Sequence, residues 1–270
     1  GNIMHYRQVL TDQYCPFIHA NGPSKFEESW GRAVERYFQE APVNGIMPKD
    51  LTVITWSIPT ERTLLQNCFK HYNMEDKLLV IPLKEPVDFL DKIRQTNKYL
   101  GKIKTKYVMA LDATDVMPFG FDACEVALTK FRNKNVKAMF GAEKEQWPNP
   151  VTMKGITRPI QDAPMQMGSW INDLKKVRKL ENVYEWLGSP FKHLCSGTWI
   201  GEREYMMDFY GECMSKIPDG YYEESLFGGD QGFITLVAGR RYPDVILDSK
   251  CELFLQLAFT SEKEVELVID

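Results

Sequence analysis

Histidine is scarce in this chain, and its cysteines show no metal-binding or redox spacing. There are 4 histidines and 6 cysteines among 270 residues, and no two cysteines form a Cys-x-x-Cys pair. Zinc-ribbon and thioredoxin-type proteins therefore have no support, because both use such pairs. We expect the cysteines to be buried free thiols, which favours a reducing compartment such as the cytoplasm. They are Cys15, Cys68, Cys124, Cys195, Cys213 and Cys251.

Long apolar runs and an excess of basic residues are also absent. Charges or prolines interrupt every apolar stretch, so no transmembrane segment is predicted, and residues 1–7 lack the apolar core of a signal peptide. The formal net charge is -4, which predicts no general basic surface for nucleic acid. With 44% hydrophobic residues, the chain can bury a large core as one α/β domain or two small ones.

Strand-like and helix-like patterns alternate through the middle of the chain. Pro59 begins one helical pattern, and Gly101 is the expected C-cap of another. This alternation predicts a single α/β domain with a Rossmann-like, mostly parallel sheet flanked by helices. Such a sheet binds ligands at the carboxyl ends of its strands. The predicted strands are 51–56, 77–82, 106–111 and 136–142, and the predicted helices are 59–69, 88–101 and 121–133.

The rest of the chain divides into a short N-terminal segment and a longer C-terminal half. A helix is predicted over 23–39, and the Pro-rich stretch 41–49 is the one plausible linker, so residues 1–50 form an N-terminal segment and 51–270 the α/β body. Residues 143–191 form an irregular apolar insert, which either packs under a long loop or forms a wall of an acceptor site. The other predicted elements are a helix at 173–187, a strand at 196–201, a helix at 203–215, a helix ending at 237, and strands at 245–248 and 252–256.

Two carboxylates follow the third predicted strand of the body. Asp112 and Asp115 come directly after the apolar run Val108 to Leu111. Paired carboxylates at a strand end suit a hard divalent cation such as Mn²⁺ or Mg²⁺. A strand followed by Asp-x-x-Asp also fits an ordinary loop or helix cap, so the pair needs support from other segments.

A second polar element lies near the N-terminus. His19 is followed by Gly22 and Lys25, with Pro23 and Ser24 between them. An imidazole can complete a metal site made of carboxylates, glycine permits close backbone approach to a phosphate, and lysine supplies a cation. A lone histidine before a turn is more often simply packed or exposed.

Taken together, these segments resemble the glycosyltransferase domain of the procollagen lysyl hydroxylase/glycosyltransferase enzymes and, more distantly, glycogenin. Both have the GT-A fold and use a nucleotide sugar with a divalent metal. The resemblance covers about 51–259, with its motifs in family order. They are Asp112 to Asp115, Phe140 to Glu143 with Trp147-Pro148, Cys195 to Gly201, Asp230 to Phe233, and Val245 to Lys250 with Phe254 and Gln256.

The His-x-x-Gly-x-x-Lys element is out of order relative to that family. There it follows the last strand of the domain, whereas here it precedes the first, and nothing like it follows Phe259. His19 and Lys25 match the family's metal-binding histidine and diphosphate-binding lysine only if the chain is circularly permuted, which is tolerated when termini lie close together. Otherwise His19 belongs to an unrelated extension or completes the site of a neighbouring molecule.

The resemblance implies a metal-dependent glycosyltransferase that transfers glucose or galactose from a UDP-sugar to a glycan, protein or small-molecule acceptor. His19, Asp112 and Asp115 would hold Mn²⁺ (or Mg²⁺). Asp230 and Gln231 are the catalytic candidates, although Gly228 and Gly229 replace the family's acidic cluster before them. The remaining candidates, for binding uracil, ribose, diphosphate or sugar, are Val53, Thr55, Gly22, Lys25, Lys92, Ser196 and Gly197.

Three alternatives stay open at this point. A nucleotidyltransferase also pairs carboxylates around a metal, but the segment after strand 51–56 is not a Gly-rich basic loop. A carbohydrate- or nucleotide-sugar-binding domain could keep the fold without turnover, because the acidic cluster is missing. Lys92 lies on a predicted helix face, where a lysine side chain more often contacts solvent than serves a functional site. Glycogenin resemblance favours retention of anomeric configuration, although both outcomes occur on this fold.

Overall fold

The apolar runs of the sequence form two sheets in the computed structural model, which describes residues 4–8, 13–39, 41–60, 62–85, 87–145, 189–217, 229–261 and 264–269. The strands are β1 (Met4–Gln8), β2 (Gln13–Cys15), β3 (Phe17–His19), β4 (Leu51–Ser57), β5 (Leu78–Pro82), β6 (Tyr107–Leu111), β7 (Val116–Pro118), β8 (Ala138–Glu143), β9 (His193–Glu202), β10 (Val245–Leu247), β11 (Phe254–Gln256) and β12 (Val265–Ile269). The helices are α1 (Glu28–Gln39), α2 (Leu64–His71), α3 (Phe89–Leu100), α4 (Ala123–Arg132), α5 (Arg203–Lys216) and α6 (Asp230–Arg240).

The larger sheet is mixed but mostly parallel. Its strands follow the order β5-β4-β6-β9-β8-β11-β3-β7, and β10 pairs with β8. Five of its pairings are parallel, whereas β9 runs antiparallel to both neighbours and β7 runs antiparallel to β3. The curled sheet is flanked by helices, so the predicted single α/β domain of Rossmann-like character is confirmed.

Strand β9 is longer than the predicted 196–201 and departs from parallel pairing. It pairs with β6 on one side and with β8 on the other, and its register against β8 shifts between Phe140 and Gly141. Residues 196–201 are buried throughout. An apolar run buried on both faces shows no period that reveals its direction, so only the fold defines it.

The N-terminal segment contributes a strand to the larger sheet. β3 lies between β11, to which it is parallel, and β7, to which it is antiparallel. The stretch after α1 is also tied to the rest of the chain, because the amide of Gly45 donates to Tyr72 and the amide of Ile46 to Phe121. The small antiparallel sheet β12-β1-β2 was not predicted.

Local signals explain where several helices begin. α1 starts at Glu28 instead of residue 23, because Gly22–Phe26 forms a 3₁₀ turn with a proline near its start. α2 starts at Leu64 instead of Pro59, since Thr63 and Gln66 form a capping box. Asp88 caps α3, whose C-terminal Gly101 has ordinary helical dihedrals and therefore is not a left-handed cap.

Helix α6 is central to the core. Its residues from Asp230 to Ala238 are all buried, so it lacks the one-sided polarity of a surface helix. The six cysteines are free and buried, as predicted. Within the described ranges, no helix is long and apolar enough to cross a membrane. Most of the predicted insert and its helix at 173–187 lie outside the described residues.

Candidate metal centre

The turn after β6 presents the two predicted carboxylates. Asp112 follows the last residue of β6, and Asp115 precedes β7. The amide of Asp112 donates to the carbonyl of Gly197 at 2.8 Å, and the amide of Ala20 donates to the carbonyl of Asp115 at 2.8 Å. These two backbone hydrogen bonds hold the turn between β9 and the end of β3.

His19, the last residue of β3, lies against both carboxylates in the same chain. Its Nε2 atom is 3.2 Å from Oδ1 of Asp115 and 3.6 Å from Oδ2 of Asp112. One ligand atom from each of the three residues lies within 4.8 Å of the others. The structure thus brings together His19, Asp112 and Asp115, as expected if β3 occupies a permuted position.

Gly197 closes one side of this cluster. A Cβ atom there would collide with Oδ2 of Asp112 and would lie 2.6 Å from Cε1 of His19. The position therefore admits no side chain while the three residues keep their places.

The cluster fits a divalent cation. Imidazole nitrogen and carboxylate oxygen are ligands for divalent metals such as Mn²⁺. Oδ1 of Asp115 is buried and has no hydrogen-bond partner among the described residues, although Nε2 of His19 is near it. When Nε2 carries no proton this buried oxygen lacks a donor, which is costly, and a cation bound beside both atoms would satisfy it.

Two lysines surround the cluster. Nζ of Lys25 lies 3.4 Å from Oδ2 of Asp115, and its side chain is 36% exposed. Nζ of Lys92 lies 2.7 Å from Oδ1 of Asp112 and 3.8 Å from Oδ2 of Asp230. Lys92 is buried and also lies 4.5 Å from the centroid of the Trp56 ring, so the interpretation of Lys92 as a solvated helix residue is wrong.

Asp230 and Gln231 reach the site from the first turn of α6. Asp230 is buried and faces Lys92, and the residue before it, Gly229, has the positive φ of 63°. Gln231 accepts hydrogen bonds from the amide (3.1 Å) and the hydroxyl (3.2 Å) of Ser196. Gln231 therefore connects α6 to β9, while Asp230 points towards the charged cluster.

Glu143, at the end of β8, joins these elements to the N-terminal segment. Its two carboxylate oxygens accept hydrogen bonds from the side-chain amides of Gln231 at 2.8 Å and Asn21 at 2.7 Å. The amide oxygen of Asn21 in turn accepts a bond from the backbone N–H of Ala258 at 2.9 Å. One buried carboxylate thus connects the residues that follow β3, β11 and the start of α6.

Burial and charge act in opposite directions on the pKa values at the site. Burial opposes charge on His19 and Lys92, but the neighbouring carboxylates outweigh it: Asp115 raises the pKa of His19 well above its usual value, and Asp112 with Asp230 raises that of Lys92. Burial favours neutral Asp115, yet His19 and Lys25 hold its pKa below the ordinary value. The cluster is therefore a set of ion pairs.

Burial dominates the pKa of two other acids, Asp230 and Glu143. Burial raises the pKa of Asp230, with Lys92 opposing it. Burial also raises the pKa of Glu143 to about 7, although the two amide donors favour the ionised form. The environments of the site therefore separate its carboxyl groups into strongly ionised and more easily protonated ones.

The structure does not bring Val53 and Thr55 to the cluster. Both side chains are fully buried within β4, and the hydroxyl of Thr55 donates to the carbonyl of Leu111. Neither side chain is open to a ligand in this conformation, because a strand in the middle of the sheet is covered on both faces. Gly22 does lie near the cluster, in the turn that carries Lys25, and its φ of 60° suits glycine.

Four other residues that support the site, Trp56, Glu143, Thr198 and Gln256, were not named as site residues from the sequence. Glu143 and Gln256 come at the ends of buried strands, which is the signal that marked Asp112. Trp56 and Thr198 read as ordinary apolar-strand residues and carried no such signal.

Neither the protein-family models nor the curated proteins searched gave a match to this chain.

Proposed function

We propose that this protein is a metal-dependent glycosyltransferase of the GT-A type that uses a UDP-sugar. The observation that carries the proposal is the close approach of His19, Asp112 and Asp115, with Lys25 and Lys92 beside them. The cluster lies where β6 ends, and Rossmann-like sheets bind ligands at carboxyl ends of strands. The sequence resemblance to lysyl hydroxylase-type glycosyltransferase domains supplies the activity class.

His19, Asp112 and Asp115 would hold Mn²⁺ or Mg²⁺. When bound, such a cation binds a diphosphate and neutralises the charge that develops as the diphosphate leaves. Lys25 would contribute a mobile positive charge, because more than a third of its side chain is exposed and its link to Asp115 is a long 3.4 Å.

Lys92 and Asp230 would act on the side of the cluster away from His19. Buried Lys92 lies between Asp112 and Asp230 and offsets part of their combined charge, which keeps both carboxylates oriented. Asp230 would contact the transferred hexose or the acceptor hydroxyl, and Gln231 would hold the start of α6 in place through Ser196 and Glu143. The donor would be UDP-glucose or UDP-galactose, and the acceptor a glycan, protein or small molecule.

Calorimetry of UDP binding with and without Mn²⁺ tests the metal part of this proposal. UDP should bind only when Mn²⁺ is present, and Asp112→Asn should abolish that binding because it removes a ligand charge. Asp76→Asn is the matched control, since Asp76 is an exposed surface carboxylate whose side chain is 71% accessible. Equal UDP affinity in the parent protein and Asp112→Asn would contradict the proposal.

A binding domain without turnover is the second candidate, favoured by the glycines that replace an acidic cluster before Asp230. Hydrolysis of UDP-glucose or UDP-galactose, measured with Mn²⁺ and no added acceptor, separates the two. Slow release of UDP that depends on Asp112 supports an enzyme. Mn²⁺-dependent UDP-sugar binding with no hydrolysis, and no transfer to any acceptor in a glycan and peptide panel, supports the binding domain.

A further inference from the structure

Gln256 lies directly behind the histidine of the cluster. It is fully buried at the end of β11, and in the parallel ladder it is the register partner of His19. Its side-chain Oε1 lies 2.6 Å from Nδ1 of His19, the ring nitrogen that faces away from the carboxylates. The contact is short and shielded from water.

The other end of the Gln256 amide is held as well. Its Nε2 donates to the hydroxyl of Thr198 on β9 at 2.8 Å, and Thr198 is also fully buried. Gly141 makes room for this contact: a Cβ atom there would collide with the Thr198 hydroxyl and lie 2.5 Å from Nε2 of Gln256. Residues of β3, β8 and β9 therefore surround the side-chain amide of Gln256. The register shift between β8 and β9 lies at the same place, beside Gly141.

This arrangement decides which nitrogen of His19 is available. A carbonyl oxygen only accepts hydrogen bonds, so a contact with Oε1 requires a proton on Nδ1. Nε2 then has a lone pair that faces Asp112 and Asp115 once its own proton is absent. In many metal sites a hydrogen bond of this kind, at the far nitrogen, fixes the tautomer and the ring plane of a histidine ligand.

We infer that Gln256 is a positioning residue: it accepts a hydrogen bond from Nδ1 of His19 and thereby presents Nε2 to a metal held by Asp112 and Asp115. The inference rests on the proposed metal site. If the Gln256 amide were reversed, the opposite tautomer of His19 would form. Nε2 of Gln256 would then donate to Nδ1, and the proton of the neutral ring would occupy the metal-facing nitrogen.

Nitrogen NMR of histidine-labelled protein loaded with diamagnetic Zn²⁺ tests the inference on the unaltered chain. The signal of His19 is distinguished from those of the other three histidines by its loss in His19→Gln. We expect His19 to show a protonated, slowly exchanging Nδ1 and a metal-bound Nε2. A protonated Nε2, or metal bound through Nδ1, overturns the inference.

Substitution supplies a second measurement. Gln256→Leu removes the acceptor and should weaken Mn²⁺ binding about 10- to 100-fold, the usual effect of losing such a partner. Gln256→Glu keeps an acceptor for Nδ1 and should restore most of that affinity. Gln39→Leu, at the exposed end of α1, is the control and should bind Mn²⁺ like the parent. Unchanged affinity in a folded Gln256→Leu protein overturns the inference.

The outcomes also separate this inference from the proposed function. If the parent binds no divalent metal, the proposed function fails. The slowly exchanging Nδ1 proton in metal-free protein, lost in Gln256→Leu, would then still establish the contact with Gln256. If the parent binds Mn²⁺ and UDP but Gln256→Leu does so equally, the proposed function stands and the positioning role is wrong.

Discussion

At the scale of single residues, the site depends on charged side chains that are buried, although residues of their type are usually exposed. Lys92 is a buried lysine that pairs with two aspartates and lies over the ring of Trp56. Such a cation is stabilised by charge and by the face of an aromatic ring, which offset the cost of removing it from water. Asp115 is likewise buried, whereas Asp112 is half-buried.

The lack of a side chain at position 197 leads to a prediction. Gly197→Ala should weaken Mn²⁺ binding more than tenfold, because the new methyl group would occupy space held by Asp112 and His19. Gly211→Ala is the matched control: nothing lies within 4 Å of a Cβ there, and alanine in a helix should stabilise by about 0.5–1 kcal/mol. Mn²⁺ calorimetry and melting curves check both variants, and normal binding by Gly197→Ala would count against the metal site.

Asp230 gives a second prediction at this scale. It is buried, follows Gly229, the N-cap of α6, and lies 3.8 Å from Nζ of Lys92 in the charged cluster. Asp230→Asn should therefore lower UDP-sugar turnover at least 100-fold while changing UDP affinity less than fivefold, because the carboxylate would serve the sugar or acceptor. Steady-state rates and UDP calorimetry measure the two effects. Equal small losses in both, with a lower melting temperature, would indicate a structural role instead.

At the scale of elements, the site is assembled where β3, β6, β8, β9, β11 and α6 meet. Glu143, at the end of β8, is buried and joins the segment after β3 to the start of α6, because it accepts hydrogen bonds from Asn21 and Gln231. Its pKa in the folded protein is about 7, against 4.5 for an ordinary glutamate. Between these two pKa values the folded state keeps a proton on Glu143 that the unfolded state has released. The free energy of unfolding therefore depends on pH.

The sign of that dependence can be predicted. Between about pH 4.5 and pH 7 the folded state binds more protons at Glu143, so the free energy of unfolding should fall as pH rises, by at most about 3 kcal/mol at 1.36 kcal/mol per pKa unit. Urea unfolding of metal-free protein at several pH values measures it. Glu143→Gln should show a smaller decrease, while Asp248, with a pKa of about 6, leaves a residual decrease of the same sign. Identical pH profiles for the parent and the variant would contradict the assignment.

At the scale of the whole molecule, the N-terminal segment contributes strand β3 to the large sheet. β11 is the final strand of that sheet in chain order, and β3 pairs beside it in parallel. The N-terminal segment therefore lies in the sheet beside the last strand, although it comes from the other end of the chain. A strand from either end of a chain can take such a place, because the free energy of a sheet depends on which strands pair, more than on which loop connects them.

Cutting the connection between α1 and β4 tests this arrangement. A protease site inserted after Pro42, beside the half-exposed Val43, should be cleaved without loss of structure. The fragment 1–42 should remain with the rest of the chain on a sizing column and Mn²⁺ binding should persist, since β3 is held by β11 and β7. Separation of the fragments with Mn²⁺ binding retained by the larger one would exclude His19 as a ligand.

Features that depend on neighbouring residues could be predicted from the amino-acid pattern. Alternating apolar runs and helical periods predicted β4, β5, β6, α3 and α4 within a few residues, because each pattern reports burial of one face of one element. The spacing of Asp112 and Asp115 at a strand end, and of His19 and Lys25 around a turn, was equally local. These two motifs therefore could be proposed as parts of one site before any contact was known.

How those segments meet depends on contacts between residues that are far apart in the sequence. The antiparallel direction of β9, the burial of Lys92 and the covering of Val53 and Thr55 depend on strands distant in sequence. The contact of Gln256 with His19 joins residues 237 positions apart. The amino-acid pattern of a segment shows which of its residues are buried and which face solvent. It does not show which of several equally apolar strands will pair with it, because that depends on the packing of the whole sheet.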